Sequence, residues 1–187
     1  MTAQRLVPIV LVIAMVAMEQ YAGRLRRAGV RSRDLGSLLV LFVLIAVGYG
    51  TAFQLWSTGR APGPRLGVWS AWVGAVIGAS GLGLRLWSVI ALGQYFTYVV
   101  KVTPDQKVVD TGPYRLIRHP SYTGSLLVGI GIGLSMGYVS TAALMGLTSL
   151  AGLLIRLFVE ERALAEGIGA PYRAYMARTK RLIPHLW

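Results

Sequence analysis

The segment 112–124, GPYRLIRHPSYTG, contains two arginines, two tyrosines and one of the two histidines of the chain. A proline disfavours helical geometry in the residue before it, so Pro120 is predicted to hold His119 at the N-terminal end of the next helix. Helix N-termini attract carboxylates and phosphates. Arg118 and His119 are therefore predicted to bind an anionic group. Taken alone, the segment is also compatible with an ordinary loop whose tyrosines lie at the lipid headgroups.

A second polar cluster follows the uncharged residues 122–155 and contains Arg156, Glu160 and Glu161. Arg156 and Glu160 are four residues apart and share one helix face. A surface ion pair in this position would contribute at most about 1 kcal/mol. Ionisable groups at the end of a membrane span usually face the interior of the protein and mark a functional site, which is the interpretation we favour.

The elements that must position these clusters are membrane helices. The chain has 187 residues, 55% hydrophobic and only 14% charged, with a mean hydropathy of +0.58. Uncharged apolar runs of roughly 20 residues are long enough to cross a bilayer. Residues 122–155 would form a helix of about 51 Å, too long for one crossing, so a tight hairpin is predicted near Ser135–Ser140. The sequence predicts an all-α integral membrane protein with one domain over 1–187. Five spans are predicted, at approximately 5–22, 35–56, 66–92, 121–137 and 139–159. Cytoplasmic helices are predicted within 160–187.

The net charge of +12 is distributed asymmetrically between the two sides of the predicted spans. Fifteen basic residues lie on one side, in the loop after span one, in the segment after span three and from Arg156 onwards, whereas three lie on the other side and Arg85 lies within a span. The positive-inside rule predicts that the N-terminus is outside and the C-terminus cytoplasmic. The basic excess is attributed to orientation and to anionic membrane lipids, so no nucleic-acid partner is expected.

Composition excludes several other kinds of site. The chain has no cysteine, which removes disulfides, thiolate nucleophiles and Cys-ligated zinc, and two histidines with seven acidic residues leave little for a metal site. The glycines of 129–133 lie inside an apolar helix, without the strand and helix of a dinucleotide fingerprint. Close packing between membrane helices explains the glycines of the fourth span better.

Two separated blocks resemble the isoprenylcysteine carboxyl methyltransferase family and its phospholipid methyltransferase relatives. The first block is GPYR at 112–115 followed by RHPxYxG at 118–124. The second is EExxL at 160–164, GxxYxxY at 169–175 and Ile183-Pro184. The resemblance covers roughly the C-terminal half. It implies a polytopic membrane enzyme that uses S-adenosylmethionine without a Rossmann fold.

By that resemblance, the cofactor site would lie on the cytoplasmic side. The segment 93–121 and the start of the fourth span would form one side of it, and the C-terminal helices the other. Its predicted cofactor-binding residues are Tyr98, Val99, Val100, Tyr114, Arg118, His119, Tyr122, Gly124, Glu160 and Glu161. Arg156 is predicted to hold an anionic acceptor, with Glu160 orienting it, and these two are the predicted catalytic residues. The implied product is S-adenosylhomocysteine.

The motifs serve the cofactor and leave the methyl acceptor open. An isoprenylated thiol's carboxylate, an amine-bearing phospholipid, a small thiol and another amphiphile all remain possible. A sterol-reductase-like enzyme that uses NADPH and a non-catalytic membrane scaffold are the alternatives from other classes. The oligomeric state is not predicted.

Overall fold

The computed structural model describes residues 2–24, 36–97 and 107–187. In these ranges the chain is helical, as predicted. The α-helices are α1 (Ala3–Arg24), α2 (Gly36–Ser57), α3 (Trp69–Leu92), α4 (Pro120–Ser135), α5 (Val139–Gly167) and α6 (Ala170–Arg178). Two short 3₁₀ helices, Gly93–Tyr95 and Gly112–Arg115, lie between α3 and α4.

Four of the described helices are long and apolar enough to cross a membrane: α1, α2, α5, and α3 with the turn that follows it. Their outer faces expose large apolar side chains such as Val10, Phe42 and Leu147. A soluble monomer rarely exposes so continuous an apolar surface, whereas a lipid-facing helix must. The chain is therefore an integral membrane protein.

The predicted hairpin of the last apolar run is present. Helix α4 has 16 residues, and α5 starts after a turn in which Gly137 has φ of 89°. At 1.5 Å per residue, α4 is about 24 Å long, shorter than the roughly 30 Å hydrocarbon core. It packs against α1, α3 and α5. The predicted fourth span is thus a short helix enclosed by its neighbours.

Glycines allow α3 and α4 to pack with their backbones in contact. A Cβ atom on Gly81 would lie 2.6 Å from the Gly124 carbonyl oxygen, and one on Gly131 would lie 2.7 Å from the Gly74 carbonyl oxygen. Real Cβ atoms do not approach so closely, so larger residues would force the helices apart. The predicted role of these glycines in helix packing is confirmed.

The C-terminal boundary of the last long helix differs from the prediction. The fifth span was predicted to end at residue 159, but α5 continues to Gly167, and only α6 is a separate C-terminal helix. The continuation contains leucine, alanine, glutamate and arginine, which are good helix formers. As a result, Glu160 and Glu161 belong to the same rigid helix as Arg156. Gly169, with φ of 79°, then turns the chain into α6.

Candidate functional site

The central feature of the molecule is a cavity of about 500 Å³ lined by residues of all six helices. Its volume falls within the range of small-molecule sites in proteins. One end is polar and is lined by side chains from α4, α5, α6 and the 3₁₀ helix before α4, and the other end is mainly apolar and lies between α1, α2 and α5. The polar end contains Tyr114, Arg118, His119, Tyr122, Arg156, Glu160, Tyr172 and Tyr175.

His119 stands at the start of α4, as predicted. Pro120 is the first residue of the helix, and His119 precedes it with non-helical φ and ψ of −124° and 56°. Its ring stacks on that of Tyr122, with the centroids 5.2 Å apart and the planes 15° from parallel. Its Nε2 atom lies 3.3 Å from Oε1 of Glu161. The imidazole is thereby held at the cavity wall.

The two sequence blocks meet at Tyr122. Its hydroxyl donates a hydrogen bond to Oε2 of Glu160 on α5, and the Arg156 guanidinium interacts with the same hydroxyl. Arg156 is only 4% exposed. The structure therefore brings together three of the predicted site residues at the cavity wall, although 38 residues separate Tyr122 from Glu160.

Glu161 is the centre of a buried ionic network rather than part of the cavity wall. Its carboxylate accepts hydrogen bonds from Nε of Arg118 at 2.7 Å and from Nε of Arg181 at 3.0 Å. Arg118 also donates to the carbonyl oxygens of Met176 and Thr179. Because both oxygens of Glu161 have protein partners, this carboxylate positions Arg118 and His119.

The C-terminal segment holds this network from the other side. The backbone N–H groups of Arg118 and His119 donate to the carbonyl oxygens of Lys180 and Arg181 at 2.7 and 3.0 Å. The guanidinium of Arg181 also lies over the ring of Trp187, 5.2 Å from its centroid. The segment after α6 therefore fixes the backbone on which the two cavity-lining side chains stand.

Three buried tyrosines line the polar end next to this network. Tyr175 donates a hydrogen bond of 2.7 Å to the backbone carbonyl of Tyr114, and the rings of Tyr172 and Tyr175 are 5.9 Å apart. Burial raises the pKa of Tyr175 to about 12 and raises the pKa values of Tyr114 and Tyr172 further. All three phenols are therefore neutral near pH 7 and serve as aromatic surfaces and hydrogen-bond donors.

A charged pair that the sequence analysis did not assign lies in the part of the cavity wall that α1 and α3 form. Arg85 of α3 donates through Nε to Glu19 of α1 at 2.7 Å and through a terminal nitrogen to Oγ of Ser121 at 2.7 Å. All three residues line the cavity. The signal in the sequence was an arginine within an apolar span, but nothing in the sequence indicated its partner.

Four predicted site residues require separate comment. Gly124 does not line the cavity, because it faces α3, where a Cβ atom would lie 2.7 Å from the Gly81 carbonyl oxygen. Its small size serves helix packing in this structure. Tyr98, Val99 and Val100 lie outside the described residues.

The fold and the cavity define an integral membrane protein with a polar site at one end of an intramembrane cavity. Residues 69–170 match the phospholipid methyltransferase family. The match covers more than half of the chain, which therefore belongs to that family.

Individual relatives are similar over a smaller share of their own length. Protein-S-isoprenylcysteine O-methyltransferase B of Arabidopsis thaliana is 27% identical over 125 residues, which cover 66% of this chain and 64% of that protein. Methanethiol S-methyltransferase of Pseudomonas sp. (strain GM41(2012)) is 26% identical over 159 residues, which cover 80% of this chain and 57% of that protein.

A solved structure has the same fold. It is that of the eukaryotic intramembrane Ras methyltransferase ICMT (isoprenylcysteine carboxyl methyltransferase), with a TM-score of 0.60 and 23% sequence identity. The similarity covers 79% of this chain and 52% of that one. The chain thus spans between about half and two thirds of the length of these relatives.

Proposed function

We propose that the protein is a membrane methyltransferase that transfers a methyl group from S-adenosylmethionine to a lipid-like or other amphiphilic acceptor. One observation carries the proposal: a single cavity is lined at one end by aromatic, cationic and carboxylate side chains and extends from there as an apolar arm between membrane helices. The family and the names of the relatives, methyltransferases of a prenylated cysteine and of methanethiol, support it.

The side chains of the polar end fit the chemistry of this cofactor. A sulfonium is stabilised over aromatic faces in a dry site, and Tyr122 and Tyr172 offer such faces. A methionyl carboxylate requires a cationic donor, which Arg118 would supply, with the His119 ring as a hydrogen-bonding neighbour. Glu160 is the carboxylate of this wall that suits an ammonium or ribose hydroxyls.

The protein's own contribution would be alignment and exclusion of water. When bound, S-adenosylmethionine would supply an electrophilic methyl group: an acceptor lone pair would bond to the methyl carbon as the carbon–sulfur bond breaks, and S-adenosylhomocysteine would leave. Arg156 is proposed to hold an anionic acceptor, with Glu160, one turn further along α5, orienting it. A carboxylate or thiolate acceptor needs no general base, whereas an amine or thiol must first lose a proton.

The proposed routes of entry differ for the two substrates. The acceptor would enter sideways from the bilayer, between the spans, and the water-soluble cofactor from the aqueous side, which the positive-inside rule predicts to be the cytoplasm. A carboxylate on an isoprenylated thiol and a phospholipid amine remain candidate acceptors. The methanethiol relative, which matches over 80% of this chain, favours a small thiol as the second candidate.

Calorimetric titration with S-adenosylhomocysteine in detergent tests the proposal. We expect the wild-type protein to bind it and Glu160→Gln to bind it about 10- to 150-fold more weakly, because a hydrogen bond to a charged group contributes about 1.5–3 kcal/mol. Glu166→Gln is the matched control, since Glu166 lies on the same helix but is 68% exposed. A folded wild-type protein that does not bind S-adenosylhomocysteine would refute the assignment.

A further inference from the structure

The apolar arm of the cavity ends at a defined depth. The residues of α2 that line the arm are three or four positions apart and therefore lie on one face of the helix. The lining residues of α5 have the same spacing and also lie on one face. From the polar end inward they are Leu38, Leu41, Phe42, Ile45 and Tyr49 on α2, and Leu164, Glu160, Arg156, Leu153 and Ser149 on α5. Tyr49 and Ser149 are therefore the innermost lining residues of their helices.

These two residues are joined to each other across the end of the arm. The Ser149 hydroxyl donates a hydrogen bond of 3.3 Å to the Tyr49 hydroxyl. Gly129 of α4 lies against the same pair, and a Cβ atom there would collide with the Tyr49 hydroxyl. Three helices thus meet at this point, and the Tyr49 ring lies between them.

Beyond this pair the interior is filled. Ala52, one turn deeper on α2, and Met145, one turn deeper on α5, belong to a core of buried residues against which Tyr49 packs. Both are at most 2% exposed. The Tyr49–Ser149 pair is therefore the floor of the cavity and separates it from the closed core.

The position of the floor limits the length of what the arm can hold. Ser149 lies seven residues before Arg156, about 10 Å along α5. A chain that spans one leaflet of the hydrocarbon core needs about 15 Å. We infer that the Tyr49–Ser149 floor selects acceptors whose apolar part is shorter than a lipid tail, that is, small or short-chain amphiphiles. This inference rests on the proposed methyltransferase function and narrows its substrate class.

A chain-length series tests this directly. Methyl transfer from labelled S-adenosylmethionine to straight-chain alkyl thiols, from ethanethiol to hexadecanethiol, would be measured as kcat/KM in detergent. For the wild type we expect kcat/KM to fall at least tenfold beyond a cut-off length. Tyr49→Ala opens the floor towards Ala52 and should move that cut-off to longer thiols. Tyr49→Phe keeps the ring and should leave the cut-off unchanged.

The outcomes separate the inference from the proposed function. A cut-off that is equal in wild type and Tyr49→Ala, or a wild-type profile without a cut-off, overturns the floor while methyl transfer stands. Tyr49→Leu is the second variant if Tyr49→Ala does not fold. If the wild-type protein neither binds S-adenosylhomocysteine nor transfers methyl groups, the proposed function itself is overturned.

A labelling experiment examines the floor without any turnover. The chain has no cysteine, so a single Met145→Cys places one thiol beneath the floor. We expect N-ethylmaleimide to label it at least tenfold faster when Tyr49→Ala is added, as followed by mass spectrometry. Leu153→Cys is the control, because this position lies on the cavity wall. It should be labelled at the same rate whether residue 49 is tyrosine or alanine. Equal labelling of Met145→Cys in both backgrounds overturns the inference.

Discussion

Replacing Glu161 by glutamine is the perturbation for which the structure allows the most definite expectation. The substitution preserves the shape of the side chain but removes the charge on which Arg118 and Arg181 converge at 2.7 and 3.0 Å. The new amide group also presents N–H donors where the network already has only donors. Arg118 is then left as a buried cation without its carboxylate.

The expected cost follows from burial. The Arg118 and Glu161 side chains are 7% and 5% exposed, so water does not screen the interaction that is lost. Removing one partner of such a buried pair costs about 3–5 kcal/mol. Arg181 is 29% exposed and can regain water, so it adds little. For a chain of this size the cost corresponds to a decrease in Tm of roughly 6–20 °C.

The assay is thermal unfolding in detergent, followed by calorimetric titration with S-adenosylhomocysteine below the Tm of the variant. Affinity should decrease as well, because Glu161 holds Arg118 and His119 at the cavity wall. Glu166→Gln is again the matched control. Its pair with Arg162 is exposed on both sides and contributes at most about 0.5 kcal/mol.

A Glu161→Gln protein that unfolds within about 2 °C of the wild type and binds S-adenosylhomocysteine equally well would refute the reasoning. It would mean that the buried network is dispensable both for stability and for the position of the cavity wall. A lower Tm with unchanged affinity would confine the role of Glu161 to stability.

Two further predictions concern the helix contact and the acceptor. Gly131→Ala should lower the free energy of unfolding by about 1–3 kcal/mol, because its Cβ atom would overlap the α3 backbone. Gly83→Ala is the control: position 83 has open space around it, so this variant should not destabilise the protein. Thermal unfolding compares the two, and equal effects would contradict the packing argument. Arg156→Ala should lower kcat/KM for an anionic acceptor at least tenfold with S-adenosylhomocysteine affinity intact. Wild-type turnover by that variant would count against the acceptor role of Arg156.

Much of the fold could be predicted from the sequence because the physics of a membrane span is local. A backbone in hydrocarbon must satisfy its own hydrogen bonds, so each long apolar run forms a helix. Proline and glycine mark the ends, as Pro120 does for α4 and Gly169 for the start of α6. The close packing of glycines was predictable for the same reason, since only small residues let helix backbones touch.

The partners of the charged side chains were not predictable, because they come from distant parts of the chain. Arg85 was visible as a charge within a span, but Glu19 lies 66 residues away. Gly124 belonged to a recognisable motif, yet its contact with Gly81 makes it a packing residue. The inner limit of the cavity likewise depends on Tyr49 and Ser149, which are 100 residues apart.

The sequence by itself determined that two polar blocks flank a helical hairpin and that both contain residues suited to a charged ligand. Only the tertiary structure decided how the adjacent glutamates divide their roles. Neighbouring residues of an α-helix point about 100° apart. Glu160 therefore faces the cavity and contacts Tyr122 of α4, whereas Glu161 contacts Arg118 and Arg181 of the C-terminal segment. Identical side chains differ in role because one of them lines a cavity, whereas the other is enclosed by three protein side chains, Arg118, His119 and Arg181.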